Sequence, residues 1–354
     1  MPGRRSPRSP GRPGPDVARG YDRFDQEHYE RPRRRTRPRT KDRPDYAEAE
    51  NGTVVRVDRG RYTLLLDGGD PEQPVTAMKA RSLGRKAVVV GDRVRLVGDS
   101  SGEPGSLARI VVVEERRTVL RRTADDDDPV ERVIVANADQ LVIVTALANP
   151  EPRSGLIDRA LVAAYDARMS PLLVLTKADL ADPETLLSTY RSLGVPWLVT
   201  QKGADVSEVR ERLAGRTSVL VGHSGVGKST LVNRLVPDAH RDVGRVNDVT
   251  GRGRHTSTSA IMLALPAAEG TTPDGWIVDT PGIRSFGLAH VQPEHLIEAF
   301  PDLDEMTEDC PRGCTHGTEE PECGLDTAVE RGEADPDRVG SFRRLLAARE
   351  RTDY

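Results

Sequence analysis

Gly222-His223-Ser224-Gly225-Val226-Gly227-Lys228-Ser229 is the stretch that decides the fold. It fits the pattern G-x-x-x-x-G-K-[ST], follows the apolar run 218–221, and leads into a helical pattern from Thr230 to Leu235. Glycines let backbone N–H groups converge on phosphate oxygens, and a helix N-terminus adds positive potential. We therefore predict that residues 222–230 bind nucleotide phosphates. Lys228 would reach the β- and γ-phosphates, and the Ser229 hydroxyl would bind Mg²⁺.

A second motif, Thr176-Lys177-Ala178-Asp179, ends an apolar run at 171–176 that predicts a buried strand. It resembles the guanine-reading [N/T]-K-x-D motif, with Thr where Asn is commoner. The Asp179 carboxylate can accept hydrogen bonds from N1–H and the exocyclic amine of guanine, while adenine offers no such donor pair. The stem of Lys177 can lie over the base plane. The alternative is an ATP-dependent enzyme in which these four residues are a coincidence.

The stretch Asp279-Thr280-Pro281-Gly282 fits D-x-x-G after an apolar strand pattern at 276–279. Asp279 would hold Mg²⁺ through water, and the Gly282 N–H would meet the γ-phosphate. The polar segment 251–258 before this strand suits a loop that closes on Mg²⁺ and γ-phosphate, with Thr256 and Thr258 as candidate ligands and Ser257 as a third.

Ile283 and Arg284 follow the D-x-x-G glycine, where many GTPases have a water-orienting Gln. An apolar side chain cannot polarise water, so we expect slow intrinsic hydrolysis. The missing group is then either His255 in the segment 251–258 or a group supplied by an external partner.

The order of these motifs is inverted relative to ordinary GTPases, because the base motif precedes the phosphate loop. Alternating strand and helix patterns from about 130 to 279 predict a parallel α/β sheet covered on both faces. A parallel sheet tolerates a different chain start, because its packing depends on which strands are neighbours. The sequence therefore predicts a circularly permuted P-loop GTPase.

Before this region, β-branched runs separated by Gly and Asp turns at about 46–115 predict an all-β, OB-like barrel. Residues 1–45 contain 14 Lys and Arg against 7 Asp and Glu, although the whole chain has a net charge of −4. We expect this basic tail to be disordered and either to contact RNA or only to aid solubility. No apolar run approaches the roughly 20 residues of a membrane span, so we expect a cytoplasmic protein without membrane contact.

The three cysteines of the chain lie between 310 and 323 and rule out a disulfide scaffold. With one histidine they form Cys-x3-Cys-x-His-x6-Cys, a donor set that suffices for one tetrahedral structural zinc. Free thiols or a redox pair are the alternatives. The predicted ligands are Cys310, Cys314, His316 and Cys323.

Together these motifs closely resemble the bacterial ribosome small-subunit-dependent GTPase A family from about residue 46 onward. The resemblance implies GTP hydrolysis stimulated by the 30S subunit in its late maturation. It also implies an OB-fold domain at 46–120, a permuted GTPase domain at 121–290, and a small α-helical zinc-binding domain at 291–354, in a multidomain chain whose tail at 1–45 falls outside the resemblance. We expect a monomer that contacts 16S rRNA. Thr200-Gln201-Lys202 stands where the family has S-A-K. The alternative function is an RNA-binding module with a regulatory or vestigial nucleotide site.

Overall fold

The computed structural model describes residues 46–58, 60–84, 87–123, 131–237, 260–267, 273–280, 286, 288 and 291–350. The basic tail at 1–45 lies outside these ranges. Among the residues described, no helix combines the length and the apolar character needed to cross a membrane.

The predicted barrel is present. Its strands are β1 (Glu50–Asp58), β2 (Arg61–Leu66), β3 (Val75–Lys79), β4 (Arg93–Gly98) and β5 (Ala108–Val113). They follow the order β1-β2-β3-β5-β4, and β4 pairs back with β1 to close the barrel. Alternate residues face its interior, where Leu64, Leu96 and Ile110 are almost completely buried. The OB-like fold predicted from the β-branched runs is confirmed.

The apolar run at 88–90 lies before β4 and is not part of it. Asp92 is fully buried, and its carboxylate accepts the Val89 amide at 2.8 Å and the Arg116 Nε at 2.7 Å. This local hydrogen bond turns the chain, so regular pairing begins only at Arg93. A hairpin then leads out of the barrel through β6 (Val119–Thr123) and β7 (Glu131–Ala136).

The central sheet carries five parallel strands in the order β10-β9-β8-β11-β13. They are β8 (Gln140–Ala146), β9 (Ser170–Thr176), β10 (Trp197–Val199), β11 (Thr217–Val221) and β13 (Gly275–Asp279). The predicted alternation of strand and helix is confirmed, with α1 (Ser154–Asp166), α2 (Glu184–Tyr190), α3 (Ser207–Leu213) and α4 (Lys228–Leu235) between the strands.

One strand departs from the parallel pattern expected from the sequence. β12 (Ile261–Leu265) runs antiparallel to β13, and its other edge pairs with barrel strand β1 through Arg56 and Ile261. The barrel and the central sheet are therefore one continuous sheet of 11 strands.

Both faces of the central sheet are covered. Along β8, Leu141 and Ile143 face a core that includes Leu161 of α1, while Val142 and Val144 face a core that includes Leu231 of α4. This two-sided burial explains why the parallel strands read as uninterrupted apolar runs.

Beyond residue 292 the described chain is mainly helical, as predicted: α5 (Pro293–Ile297), α6 (Pro301–Asp304), α7 (Gly324–Glu330) and α8 (Pro336–Glu350). The longest, α8, packs against α1. Phe342 of α8 meets the Phe300 ring edge-on at 5.4 Å between centroids, and the Arg344 guanidinium lies 5.2 Å from the Tyr190 ring centroid. The C-terminal helices are thus seated on the same sheet face as α1.

Candidate functional site

The phosphate loop joins β11 to α4 at the carboxyl edge of the parallel strands. Gly225 and Gly227 have φ angles of 84° and 92°, a region in which L side chains are strained. At Gly222, an added Cβ would lie 2.4 Å from the Val144 carbonyl oxygen. The loop therefore stays free of side chains at these positions, and its backbone N–H groups can approach an anion closely.

A cation and an acid meet beside this loop. Lys228 begins α4, Asp279 ends β13, and the Lys228 Nζ contacts the Asp279 carboxylate. Their side chains are only 14% and 26% exposed. Ser229 and Thr230, which follow on α4, are exposed. An ammonium, a carboxylate and an accessible hydroxyl thus lie at one strand edge.

The first residue after Asp279 is fastened to the phosphate-loop strand. Thr280 is buried, and its hydroxyl donates to the Leu220 carbonyl at 2.8 Å. The D-x-x-G pattern alone assigns Thr280 no role. A Thr directly after an apolar strand could have indicated this contact, because its hydroxyl can donate a hydrogen bond to a neighbouring backbone carbonyl.

The base motif contacts the phosphate loop directly. The Thr176 hydroxyl donates to the Val226 carbonyl at 2.5 Å, across the intervening strand β8. An added Cβ on Gly227 would lie 3.6 Å from the same Thr176 oxygen. Thr176 therefore braces the phosphate loop, although the motif more commonly has Asn at this position.

The rest of the base motif lies in a polar loop after β9. Lys177 has a φ of 60°, and its Nζ donates to the Asn149 carbonyl. The Ala178 amide donates to the Thr200 carbonyl at 3.3 Å, which places the segment 200–202 beside the motif. Asp179 is exposed at the end of the loop. Asn149, which lies after β8 at the same strand edge, belongs to none of the sequence motifs.

Five predicted residues lie outside the described residues: His255, Thr256, Ser257, Thr258 and Gly282. Their roles stay predictions.

The Cys–His cluster converges as its spacing predicts. The donor atoms of Cys310, Cys314, His316 and Cys323 all lie within 4.8 Å of one another. The His316 Nδ1 is 3.6 Å from the Sγ atoms of Cys310 and Cys314 and 3.9 Å from that of Cys323. Three sulfurs around one imidazole nitrogen fit a four-coordinate, closed cation site.

Backbone amides and burial tune this cluster. The Gly324 amide donates to the Cys310 Sγ at 3.1 Å, and the His316 amide donates to the Cys314 Sγ at 3.4 Å. Burial raises the pKa of the Cys310 thiol and raises that of Cys314 to about 12. Burial also lowers the pKa of His316, so its ring favours the neutral form that ligates metals. A bound cation would convert the thiols to thiolates.

The sequence of this chain matches one protein family. The model of the RsgA GTPase family matches residues 113–289, which is half of the chain. A 230-residue stretch is 42% identical to the small ribosomal subunit biogenesis GTPase RsgA of Pseudomonas aeruginosa strain LESB58, and spans 62% of this chain and 66% of that protein. The corresponding protein of Ectopseudomonas mendocina is also 42% identical, over 65% of its length.

Solved structures share the architecture. The crystal structure of YjeQ from Thermotoga maritima superimposes with a TM-score of 0.62 at 27% identity, covering 85% of this chain and 99% of that one. YloQ, described as a circularly permuted GTPase, superimposes with a TM-score of 0.60 at 23% identity, over 85% and 95% of the two chains. The second likeness concerns the fold, and it confirms the permuted strand order. From its motifs, its fold and the family model that matches half of its length, this chain belongs to the RsgA GTPase family.

Proposed function

We propose that this chain binds GTP, hydrolyses it to GDP and phosphate, and acts as a switch in late maturation of the 30S ribosomal subunit. The observation that carries the proposal is the hydrogen bond from Thr176 to Val226, because it unites a base-reading motif and a phosphate loop in one site. The relatives at 42% identity are named for biogenesis of the small ribosomal subunit, which supports the choice of partner.

The nucleotide would lie along the carboxyl edge of the parallel strands, between the two loops. The Asp179 carboxylate would accept the two guanine donors, and the Lys177 stem would cover the base. The amides of residues 222–230 would surround the phosphates. Asp179 is exposed, so it can receive a base without displacing a packed side chain.

The contact between Lys228 and Asp279 suggests how the phosphates enter. In the structure the Lys228 ammonium contacts Asp279. Phosphate oxygens would compete with Asp279 for this ammonium and would free the carboxylate. The exposed Ser229 hydroxyl and the released Asp279, through water, would then hold Mg²⁺, with Thr256 or Thr258 as a further ligand. When bound, Mg²⁺ neutralises charge that develops on the β- and γ-phosphates.

Hydrolysis needs a water aligned with the γ-phosphate. Ile283 cannot supply the polar group, so we assign the alignment to His255, acting when the ribosome orders its segment. The Gly282 amide would meet the γ-phosphate. Turnover should then be slow for the free protein and faster with 30S subunits.

The Cys–His cluster would hold one structural zinc through Cys310, Cys314, His316 and Cys323, because three sulfurs and one ring nitrogen converge at closed-site distances. All four positions are filled by protein donors, so this zinc would stabilise the helices around it and take no part in hydrolysis. We further propose that the chain works as a cytoplasmic monomer and contacts 16S rRNA.

Phosphate release with and without purified 30S subunits tests the proposal, together with displacement of a fluorescent guanine nucleotide by GDP or ATP. We expect displacement by GDP only, and release that rises with 30S subunits. Displacement by ATP rejects the guanine assignment. Unchanged release with 30S subunits rejects the ribosome and leaves the GTPase standing. Guanine-nucleotide binding with no release under either condition favours an RNA-binding module with a regulatory site.

A further inference from the structure

Arg159 is a buried cation that none of the motifs uses. It lies on α1 with 4% of its surface exposed, inside the core between the central sheet and the C-terminal helices. A guanidinium is almost never so buried unless its donors are satisfied, because its desolvation is costly. The hydrogen-bond acceptors of Arg159 therefore indicate its structural role.

Among the residues that the structure describes, the guanidinium contacts backbone carbonyls from two distant parts of the chain. Its Nε and Nη2 donate to the Phe286 carbonyl at 3.0 and 2.5 Å, and its Nη1 donates to the Ala348 carbonyl at 3.3 Å. Charge-assisted hydrogen bonds of this kind are roughly twice as strong as neutral ones. Arg159 thus joins Phe286 to the last turn of α8.

Phe286 lies four residues after Gly282, the glycine of the D-x-x-G motif. Its ring is buried and lines a small apolar pocket with Gly222, His223 and Val226 of the phosphate loop. At the other end of the motif, Thr280 is tied to the Leu220 carbonyl. The residues that flank 281–285 are therefore both fastened, one by a hydroxyl and one by Arg159.

Helix α8 leads from this contact to the Cys–His cluster. Five residues before Ala348, Arg343 donates its Nε to the His316 carbonyl at 3.1 Å and both terminal nitrogens to the Asp326 carboxylate at 2.7 and 2.8 Å. One rigid helix thus carries Arg343 at the cluster and Ala348 at Arg159.

We infer that Arg159 is a positioning residue that sets the end of the D-x-x-G segment for the γ-phosphate and links that segment to α8. The inference rests on the proposed GTPase function and deepens it. Only GTP places a phosphate against Gly282, so Arg159 should matter for binding GTP and not for binding GDP. The planar guanidinium spans two carbonyls, which a single lysine ammonium cannot do in the same geometry.

The test uses Arg159→Lys in the full chain, with Arg159→Gln as a second variant should Arg159→Lys not fold. Arg210→Lys is the matched control, because Arg210 also bridges two carbonyls, those of Pro266 and Leu235 at 2.8 and 2.9 Å, away from the D-x-x-G segment. We expect the affinity for the slowly hydrolysed analogue GTPγS to fall about tenfold in Arg159→Lys, as lost charge-assisted hydrogen bonds cost. The affinity for GDP should stay unchanged.

A merely structural role would lower both affinities together or neither, and either result overturns the inference. Arg210→Lys should bind GTPγS and GDP like the wild type. If its ratio of GTPγS affinity to GDP affinity changes as much as that of the Arg159 variant, the inference is also overturned. If the wild-type chain binds no guanine nucleotide, the proposed function itself fails. If the wild type binds guanine nucleotides tightly and the Arg159 variant keeps the same ratio of GTPγS affinity to GDP affinity, only the role of Arg159 is rejected.

Hydrogen exchange of the amides at 343–350 tests the link to α8. We expect GTPγS and GDP to give different exchange there in the wild type, and the difference to vanish in the Arg159 variant. The same exchange with both nucleotides in the wild type, or a difference that persists in the variant, overturns the link.

Discussion

The hydroxyl of Thr176 donates a 2.5 Å hydrogen bond to the carbonyl of Val226, joining two loops that lie 50 residues apart in the sequence. The strands that carry them, β9 and β11, are separated only by β8. Circular permutation reverses the order of these loops along the chain but keeps their strands in place. One short contact can therefore still set the distance between the base motif and the phosphate loop.

Replacing Thr176 by Val should weaken binding of GDP by about three- to tenfold, because the buried Val226 carbonyl loses its donor while side-chain volume is kept. Thr176→Ser retains the hydroxyl and is the control, expected to bind GDP like the wild type. Titration of a fluorescent GDP derivative measures both. Equal affinity in the wild type and Thr176→Val would show that the phosphate loop needs no such brace.

Asp179→Asn should change which base the site accepts. The amide keeps one acceptor and gains a donor, so it loses the paired hydrogen bonds to guanine and can donate to the C2 carbonyl of xanthine. We expect the affinity for GDP to fall about a hundredfold, since hydrogen bonds to charged groups contribute roughly 1.5–3 kcal/mol each.

Competition between GDP and xanthosine diphosphate checks this exchange. Asp182→Asn serves as the control, because Asp182 lies three residues further on, where its carboxylate accepts the Glu184 amide at 2.9 Å. A preference for GDP that survives in Asp179→Asn would remove Asp179 from the base site.

Gly222→Ala should damage the phosphate loop through sterics alone. The new methyl group would lie 2.4 Å from the Val144 carbonyl oxygen, so β8 or the loop must move. Such overpacking costs typically about 1–3 kcal/mol, which we expect as a lower midpoint of urea unfolding together with weaker GDP binding. Gly155→Ala is the control, because an added Cβ there meets no atom within 4 Å. Equal midpoints for the two variants would contradict the crowding at Gly222.

Much of this site could be predicted from the sequence. Fully buried parallel strands appear there as apolar runs, and each motif follows one of these runs. β8 spans Gln140–Ala146, as its apolar run predicts, and β5 likewise spans Ala108–Val113. The pairing of β12 with barrel strand β1 could not be predicted, because it depends on how two finished sheet edges meet in space. The contacts of Arg159 could not be predicted for a similar reason, since its acceptors are backbone carbonyls 127 and 189 residues away.

His316→Ala should remove the metal from the Cys–His cluster. We expect about one zinc ion per purified wild-type chain, as for a closed four-ligand site. Loss of one ligand should weaken zinc binding by more than the roughly 10–100-fold that outer-shell changes cost. His295→Ala is the matched control, because the His295 side chain is 53% exposed, its ring lies 3.7 Å from Asp166, and it is not one of the four donors. Metal analysis and thermal unfolding with and without chelator measure both variants.

His316→Ala should also lower the stability of the fold, because the cluster contacts α8. His316 is held through its carbonyl by Arg343, so disorder at the cluster removes a partner of that helix. Chelator should therefore lower the unfolding temperature of the wild type and His295→Ala, and leave His316→Ala, already destabilised, nearly unchanged. Zinc bound equally by all three proteins, or an unfolding temperature that ignores chelator in the wild type, would exclude a structural zinc at these four residues.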